Sequence, residues 1–437
     1  MSISARGFFK KFKKLTSEQL LKKSAIVLFL RIVGMALAYV AIILISRTFG
    51  AETYGRFSLL LTTIQFLVLL FSLGLPQLMI KLTADKRFYD ITPKNNYLYH
   101  ALIAILVSGI IGSILLYFSV DIIAVNIFRD PLLIPYFKTL SYFFVFFVLH
   151  SFLVEFLKGR KLFINYGLYL YVMPYLLFFI IYFVFYDKEI NITERAIYFS
   201  YLIPFLIITV ITFFFLPLKQ LKTTKAYPYK DLFQLSFPML FSATFIFISN
   251  WTDVFMLGAM ATKAEVGIYN AAYKLAIIAL LVITAVNTVL APRISELYSK
   301  NNLEEIKKEV QKATKIITYI TIPIVVVLIV FRKQLLGMFG LEFVQGEQVL
   351  IIVSLGLLFN ALSGSVAIIM NMTKHQKELR NFTLISAFIN ILLNYFLIKE
   401  MGIDGAAIAS LISAILFNIT CIWYIKKKLG FFTFLKY

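Results

Sequence analysis

Three charged side chains lie inside long apolar stretches, where ionisable groups are costly and mark functional sites. Arg31, Asp253 and Lys274 are each surrounded by mostly apolar residues. A guanidinium suits phosphate oxygens because its planar fork donates two parallel hydrogen bonds. We therefore expect Arg31 and Lys274 to bind an anionic substrate, together with Asn270, one helical turn before Lys274. The alternative for Arg31 is a side chain that extends to the lipid headgroups.

Asp253 lies at about the same predicted depth as Lys274, in the preceding apolar stretch. Adjacent antiparallel helices would bring the two together as a buried ion pair, which is costly to break at one side only. A structural pair is thus one interpretation of Asp253, and a cation site is the other.

The elements that position these residues follow from composition. The chain has 437 residues, of which 60% are hydrophobic and 15% charged, which is typical of a multi-pass membrane protein. A spanning helix requires about 20 apolar residues. By that criterion the sequence predicts an all-α integral membrane protein with twelve transmembrane helices, the ninth continuing from the helix before it. The twelve predicted spans are 24–46, 57–80, 97–118, 140–157, 166–186, 196–216, 235–260, 266–290, 316–331, 349–370, 382–398 and 406–424.

The net charge of +21 reflects topology signals rather than a nucleic-acid partner, because the Lys and Arg residues occur in short clusters between apolar runs. Of the 43 Lys and Arg residues, 31 fall on one side of the predicted membrane and 10 on the other. This bias predicts that both termini are cytoplasmic.

Several kinds of chemistry are excluded by residue usage. The single cysteine, Cys421, rules out a disulfide framework and a thiolate metal site, and the histidines His100, His150 and His375 stand far apart in the sequence. No Gly-rich phosphate loop ending in Lys-Ser or Lys-Thr is present. We therefore expect no catalytic residue, no resident metal or cofactor and no ATP hydrolysis. If the chain is a transporter, its energy would come from an ion gradient (Na⁺ or H⁺) or from consumption of the product outside.

The chain contains an internal repeat. Ala51-Glu-Thr-Tyr-Gly55 is echoed by Ala264-Glu-Val-Gly267, and Gly55 and Gly267 are 212 residues apart, close to the spacing of Pro76 and Pro292. Two halves of six helices enter the membrane in the same direction and therefore form parallel repeats, an arrangement that transporters use for alternating access around a central cavity. The predicted parts are a basic amphipathic segment (1–23), an N-lobe (24–216), a cytoplasmic linker (217–233), a C-lobe (234–424) and a basic tail (425–437).

Two further segments carry local predictions. The N-terminal segment suits a helix on an anionic membrane surface or a disordered tail that only fixes orientation. In the predicted loop after Pro292, Asn302 stands three residues before Glu305, which predicts a helix N-terminus and a cytoplasmic amphipathic helix.

Motifs along most of the chain resemble polysaccharide flippases of the Wzx type, within the multidrug/oligosaccharidyl-lipid/polysaccharide exporter superfamily. The resemblance implies a MATE-like fold with two six-helix lobes around a cavity. It also implies flipping of a polyprenyl-pyrophosphate-linked oligosaccharide across a bacterial inner membrane for surface polysaccharide such as the lipopolysaccharide O-antigen. It further implies a monomer that contacts membrane lipids and works with glycan polymerase machinery. The motifs are Arg47-Thr-Phe-Gly50, Asn250-Trp-Thr-Asp253, Glu265-Val-Gly-Ile-Tyr269-Asn270, Ala291-Pro-Arg-Ile-Ser295 and Gly402-Ile-Asp-Gly405.

The same resemblance implies an ion-coupling site. In the related lipid II flippases a sodium site uses positions that match Asp253, Asn390, Asn394 and Ser410 in this chain. Asn394 stands where an acid is usual, which lowers the charge of the expected site. The Arg-Asp pair that lipid II flippases carry in the first helix is replaced by Leu37-Ala38, which argues against a peptidoglycan precursor as substrate.

Three alternatives remain at the level of sequence. A multidrug cation exporter and a lipid II flippase share the expected fold. A membrane glycan polymerase or ligase would need a large external loop with catalytic groups, whereas the longest predicted external loop, 119–139, has few carboxylates.

Overall fold

The computed structural model describes residues 5–84, 97–186, 194–216 and 229–434, and the regular elements within these segments are helices. The predicted all-α class is confirmed. Numbered in chain order, the α-helices are α1 (Ala5–Phe71), α2 (Leu75–Ala84), α3 (Tyr97–Asp121), α4 (Ile134–Gly159), α5 (Phe163–Gly167), α6 (Met173–Tyr186), α7 (Glu194–Phe213), α8 (Tyr229–Met260), α9 (Lys263–Ala276), α10 (Leu280–Ser299), α11 (Leu303–Val330), α12 (Arg332–Gly337), α13 (Glu347–Ser363), α14 (Val366–Met372) and α15 (Gln376–Leu429). Short 3-10 or π-helical segments are Ile122–Ile127, Pro131–Leu133, Leu168–Val172, Ile277–Ala279 and Leu341–Gly346.

Ten helical stretches within the described residues are long and apolar enough to cross a membrane, so the chain is a multi-pass membrane protein. Two of them are far longer than one crossing requires: α1 has 67 residues and α15 has 54, against about 20 for a span. Both are interrupted by a glycine with non-helical angles, Gly50 (φ 81°, ψ 178°) in α1 and Gly402 (φ 56°, ψ −129°) in α15. The predicted count of twelve requires each of these helices to cross twice and stays a prediction.

The predicted spans leave loops at 47–56 and 399–405, around Gly50 and Gly402. In the structure these residues are helical except at the two glycines, so the prediction of extended loops is wrong. The chain is helical on both sides of each glycine and departs from helical angles at that residue. Positive φ is disfavoured by side chains with a Cβ atom, so a single glycine is sufficient to interrupt the helix there. Hydropathy marks the polar residues near each break and cannot show that they are helical.

Other boundaries differ from the predicted spans for similar local reasons. The second predicted span, 57–80, is divided by a turn in which Leu73 and Gly74 both have positive φ. The eighth, 266–290, is divided by the 3-10 segment Ile277–Ala279. In contrast, the predicted N-cap is confirmed: the side chain of Asn302 accepts a hydrogen bond of 3.1 Å from the backbone N–H of Glu305, and α11 continues as one helix through the ninth span.

The chain forms two compact units. One, here called the N-unit, comprises the residues up to Leu44 and Thr63–Thr244, and the other, the C-unit, comprises Ile45–Thr62 and the residues from Phe245 onward. The short segment Ile45–Thr62, which contains the break in α1, thus packs within the C-unit although it lies early in the sequence.

The predicted lobes, 24–216 and 234–424, and the cavity between them stay predictions. Most of the predicted linker 217–233 lies outside the described residues, and its last five residues begin α8. The backbone of the predicted segment 1–23 is helical from Ala5 onward.

Each unit has its own apolar core. In the N-unit, α4 contributes large side chains that are fully buried, among them Phe137, Phe144 and Phe152. In the C-unit, a cluster of apolar side chains from α10, α11, α14 and α15 includes Ile294 and Ile369, both with no exposed surface. Leu379 and Cys421, near the two ends of α15, belong to this cluster.

Candidate functional site

The carboxylate of Asp253 lies in the C-unit, is only 6% exposed and accepts hydrogen bonds from four side chains. The hydroxyl of Tyr269 donates to its Oδ2 at 2.7 Å, and the hydroxyl of Ser410 donates to the same oxygen. The amide nitrogens of Asn394 and Asn390 donate to its Oδ1 at 2.7 and 3.3 Å. We call these five residues the Asp253 cluster.

A tight helical hairpin brings Tyr269 to Asp253. Helix α8 ends at Met260 and α9 begins at Lys263, so only two residues separate them. Thr262 caps α9: its hydroxyl accepts a hydrogen bond from the backbone N–H of Glu265, whose carboxylate accepts one from the backbone N–H of Thr262 at 2.8 Å. This capping box satisfies backbone donors that the helix start would otherwise leave unpaired. Asp253 and Tyr269 each lie eight residues from Ala261, which places them opposite each other.

The break at Gly402 does the same for α15. Asn394 lies eight residues before Gly402 and Ser410 eight residues after it. Because the chain reverses at the break, these two side chains lie at the same level and both reach Asp253. Asn390 is one helical turn before Asn394, on the same face of α15.

The cluster satisfies the carboxylate with neutral donors. An ion placed in an apolar environment without compensation is very costly, and hydrogen bonds to a charged group are about twice as strong as those between neutral groups. Four donors, one on α9 and three on the two arms of α15, therefore stabilise the negative charge of Asp253 and tie α8, α9 and both arms of α15 together.

Asn394 also has a buried side-chain oxygen that accepts no hydrogen bond from the described residues. Its amide nitrogen also donates to Oδ1 of Asn390 at 3.1 Å, while its own Oδ1 is buried and has no hydrogen-bond partner among the described residues. A rotation of the amide by half a turn would exchange the nitrogen and this oxygen. The cluster could then surround a monovalent cation with one carboxylate, two amide oxygens and a hydroxyl, which are ligands that hard cations prefer.

The four residues of the expected ion-coupling site, Asp253, Asn390, Asn394 and Ser410, are thus brought together by the fold. Their role in ion coupling stays a prediction. Within the part of the chain that the structure describes, no group of three or more His, Cys, Asp or Glu residues comes together. A cluster with a single carboxylate is accordingly of a different kind from a transition-metal site.

Tyr269 is the member of the cluster that sequence reasoning missed. The signal was present, because Thr262 and Glu265 have the spacing of a capping box and fix the start of α9 three residues earlier than predicted. Counted from Lys263, the seven residues that separate Asp253 from the end of α8 lead to Asn270, so Tyr269, one residue earlier, lies nearer the depth of Asp253 than Lys274 does.

Lys274 lies deeper than its predicted level beside Asp253. It is five residues beyond Tyr269 on α9 and therefore about 7 Å deeper at ~1.5 Å per residue. Its side chain is half-buried, and within the described residues the groups that hydrogen-bond to Asp253 do not include it. Asp253 is held by neutral groups in place of the ion pair considered from the sequence.

Asn270 and Arg31 have surroundings of other kinds. Asn270 is 1% exposed, and its Oδ1 accepts a hydrogen bond of 3.3 Å from the hydroxyl of Tyr54. In this conformation Asn270 therefore takes part in packing.

Arg31 is half-buried in α1, one turn before Gly34, whose backbone packs closely against that of Tyr171 in the N-unit. The predicted substrate-binding roles of Arg31, Lys274 and Asn270 stay predictions.

Comparison of the sequence with known proteins identifies its family. Residues 20–298 match the family described as polysaccharide biosynthesis protein, and residues 238–396 match the MatE family. The chain is 28% identical over 185 residues to the probable low-salt glycan biosynthesis flippase Agl15 of Haloferax volcanii. It is 26% identical over 202 residues to the capsular polysaccharide biosynthesis protein CapF of Staphylococcus aureus. These matches cover 42% and 46% of this chain, and 39% and 50% of the relatives.

Solved structures with the same fold cover almost the whole chain. The inward-facing conformation of a multidrug resistance MATE family transporter of the MOP superfamily matches with a TM-score of 0.78 and 13% identity, over 92% of this chain and 98% of that one. The inward closed conformation of the lipid II flippase MurJ matches with a TM-score of 0.72 and 18% identity, over 93% and 87%. The expected MATE-like fold is confirmed. Since the first family match spans more than half of the sequence, this chain is a member of the polysaccharide biosynthesis protein family.

Proposed function

We propose that this chain flips a polyprenyl-pyrophosphate-linked oligosaccharide from the cytoplasmic to the outer leaflet of a bacterial inner membrane, by alternating access. The product would supply a surface polysaccharide such as O-antigen or capsule. Membership of the polysaccharide biosynthesis protein family supports this proposal, as do the descriptions of Agl15 as a flippase and CapF as a capsular biosynthesis protein. Both termini would lie in the cytoplasm, and the protein would act as a monomer beside glycan polymerase machinery.

The observation that carries a coupled transport mechanism is the Asp253 cluster. A Na⁺ ion bound there would take up the charge of Asp253 and require the donors of Asn390 and Asn394 to turn away, since a cation needs oxygen ligands. A proton on Asp253 would likewise convert one acceptor into a donor and displace at least one of the four hydrogen bonds. Either ion changes the contacts among α8, α9 and α15. A ligand that binds two conformations with different free energies shifts the balance between them, which is what coupling requires.

The substrate's charge sets a second requirement. A pyrophosphate headgroup carries about two negative charges and cannot cross hydrocarbon unaided, because burying an ion without a partner is very costly. Arg31 in the N-unit and Lys274 in the C-unit are the cationic groups that we propose as its partners, with Asn270 becoming available in another conformation. Arg31 would bind two phosphate oxygens with its planar fork.

A multidrug cation exporter is the closest rival, since the fold matches a multidrug resistance transporter. A positively charged drug would be repelled by Arg31 and Lys274, which favours an anionic substrate. A lipid II flippase differs in the glycan that it carries. An enzyme such as a polymerase or ligase has less support, because the named relatives are flippases or biosynthesis proteins of the same family.

Deletion of the gene in its host, followed by mass spectrometry of the lipid fraction, tests the proposal. We expect a lipid-linked oligosaccharide to accumulate in the cytoplasmic leaflet and to disappear when the wild-type gene is restored. The Asp253→Asn variant should restore export poorly while reaching the membrane in normal amount. Unchanged lipid-linked glycans together with a new sensitivity to cationic drugs would contradict the proposal and favour the multidrug exporter.

A further inference from the structure

A cavity of about 450 Å³ lies within the C-unit and shares two of its wall residues, Asn390 and Ser410, with the Asp253 cluster. Its size falls within the ~300–1,000 Å³ typical of small-molecule sites. Helices α8, α9, α13, α14 and α15 all contribute to its wall. Of the wall residues that the structure describes, about half carry an amide or hydroxyl group and none is charged. Polar groups are costly at membrane depth, so their convergence on one cavity indicates a binding site.

Several hydroxyl groups of the cavity wall already donate their protons to backbone carbonyls. The hydroxyls of Ser249, Thr383 and Ser413 donate to backbone carbonyls one turn earlier in their own helices, at 3.0, 2.9 and 2.7 Å. The hydroxyl of Ser386 donates to the backbone carbonyl of Ser413 at 3.0 Å. A hydroxyl that has donated its proton still has lone pairs to offer. The wall therefore presents acceptors to whatever occupies the cavity.

Asn418 also contributes a hydrogen-bond acceptor at the cavity wall. It lines the cavity, is 2% exposed, and its amide nitrogen donates to the backbone carbonyl of Ala414 at 2.8 Å. Its Oδ1 has no hydrogen-bond partner among the described residues. A buried acceptor without a donor is costly, so a ligand that reaches this oxygen with a donor offsets that cost.

A neutral sugar fits these properties better than the other parts of the proposed substrate. Sugar hydroxyls and acetamido N–H groups are uncharged donors, and the rings of Tyr273 and Phe417 in the wall offer apolar faces. Pyrophosphate carries about two negative charges and needs cationic partners, whereas none of the described wall residues is charged. A polyprenyl chain would leave the polar wall groups without partners. We infer that this cavity is the saccharide-binding site of the C-unit and takes the neutral glycosyl part of the lipid-linked substrate; the link to that substrate rests on the proposed function.

The shared residues connect this site with the ion site. The amide nitrogen of Asn390 lies 3.4 Å from the hydroxyl oxygen of Ser410, and both side chains hydrogen-bond to Asp253. A sugar hydroxyl that binds either residue from the cavity alters the hydrogen bonds that remain for Asp253. Saccharide binding and cation binding are therefore coupled, and by reciprocity each changes the affinity for the other by the same factor.

Tryptophan fluorescence can measure binding to the cavity in the full-length protein. The chain has two tryptophans, and Trp251 directly follows the wall residue Asn250. Replacing the exposed Trp423 with Phe leaves Trp251 as the reporter. The purified Trp423→Phe protein would be titrated with the oligosaccharide released by mild acid from the host's lipid-linked glycans, and separately with inorganic pyrophosphate at matched ionic strength. We expect a saturable change with the saccharide and none with pyrophosphate.

Substitutions in the cavity wall test whether the saccharide binds there. Asn418→Leu should weaken saccharide binding about tenfold, the effect of one lost hydrogen bond of ~1.4 kcal/mol. Ser386→Ala provides a second, milder variant should Asn418→Leu fail to fold. Thr420→Val is the matched control, because Thr420 lies on the same helix, is half-buried outside the described cavity wall, and its hydroxyl bonds to its own helix at Leu416.

The inference is overturned if the saccharide produces no saturable change, if pyrophosphate competes for the same site, or if the cavity variants bind as well as Thr420→Val. Failure of the proposed function gives a different result: deletion of the gene would leave lipid-linked glycans unchanged whether or not Trp251 reports saccharide binding. A binding curve without a glycan phenotype would thus retain the cavity and reject the flippase.

Discussion

Gly55 and Gly267, which occupy equivalent positions in the repeated sequence motif, lie in direct backbone contact within the C-unit. A Cβ atom added to either glycine would come within 3.0 Å of the backbone nitrogen of the other. It would also overlap a carbonyl oxygen, that of Lys263 for Gly55 and that of Ala51 for Gly267. Close packing therefore accounts for glycine at both positions of the repeated motif, because only glycine permits this approach.

Around this contact, the segment Ile45–Thr62 is held to the C-unit by several polar bonds. The guanidinium of Arg47 donates to the carbonyl of Met338 at 2.8 Å, and the backbone N–H of Ala51 donates to the carboxylate of Glu342 at 2.6 Å. Together with the Tyr54–Asn270 hydrogen bond, these contacts fix the start of the second predicted span against α9.

Substitution of Gly267 with Ala should destabilise this conformation. The added methyl group must displace backbone atoms, and overpacking of this kind costs about 1–3 kcal/mol. We expect a lower thermal unfolding midpoint and slower glycan export. Gly337→Ala is the control, since a Cβ at Gly337 would meet no atom within 4 Å. Equal behaviour of the two variants would show that the contact is not required.

The charge of the Asp253 cluster should control its response to cations. Asn394→Asp adds a second carboxylate beside Asp253, which increases the attraction for Na⁺, whereas Asp253→Asn removes the only carboxylate of the cluster. A ligand that binds the folded state raises its stability by RT ln(1 + [L]/Kd). We therefore expect Na⁺, compared with an equal concentration of K⁺, to raise the unfolding midpoint most in Asn394→Asp and not at all in Asp253→Asn. The cation-site interpretation would be wrong if all three proteins respond alike.

Tyr269 should matter through its hydroxyl rather than its ring. Tyr269→Phe keeps the buried ring and removes one donor to Asp253, so the carboxylate loses a charge-assisted hydrogen bond of about 1.5–3 kcal/mol. The expected result is a lower unfolding midpoint together with a changed pH dependence of export. Tyr319→Phe, at a position that is 62% exposed, should change neither property. If only stability changes in Tyr269→Phe, its role is confined to packing.

Cysteine labelling tests the predicted topology. In a Cys421→Ala background, single cysteines within 81–96, 217–233 and 291–315 should resist a membrane-impermeant thiol reagent in intact spheroplasts. Cysteines at 121–130 and 187–189 should react. These expectations follow from the distribution of Lys and Arg between the two sides. Labelling of 217–233 from outside would contradict two halves that enter the membrane in the same direction.

The sequence was sufficient for the features that depend on residue type and short spacing. The apolar runs predicted the helical class, and Asn302 and Glu305 predicted the start of α11. The resemblance predicted four of the five members of the Asp253 cluster. Features that depend on backbone reversal were harder to predict. Hydropathy cannot show that a helix continues up to Gly402 and departs from helical geometry there, and this break is what brings Ser410 to the level of Asn394.

The sequence placed Lys274 at the depth of Asp253, whereas Tyr269 lies beside Asp253 in the structure, and this difference has a related cause. A difference of three residues in the start of a helix changes the facing residue on a neighbouring helix, because each residue adds ~1.5 Å of rise. The cavity beside the cluster could not be predicted either. Its character depends on which hydroxyls donate to their own backbone, as Ser249 and Thr383 do, and the sequence does not reveal that choice.

The central claim is that an anionic glycolipid crosses the membrane with Arg31 and Lys274 as the partners of its pyrophosphate. Arg31→Ala and Lys274→Ala should each abolish flipping while leaving folded protein in the membrane. Arg31→Lys should restore it only in part, because lysine lacks the bidentate fork. Arg47→Ala is a useful comparison, since Arg47 bonds to a backbone carbonyl within the C-unit.

The most direct measurement uses the purified protein in liposomes that contain the host's polyprenyl-pyrophosphate-linked oligosaccharide. A membrane-impermeant oxidant reaches only glycans in the outer leaflet, so flipping is measured as oxidation of the glycans that began in the inner leaflet. The account predicts that wild-type protein exposes the whole pool and that Arg31→Ala and Lys274→Ala leave the inner-leaflet share protected. Full exposure by both alanine variants would contradict the electrostatic mechanism, and protection of that share with wild-type protein would contradict the flippase function itself.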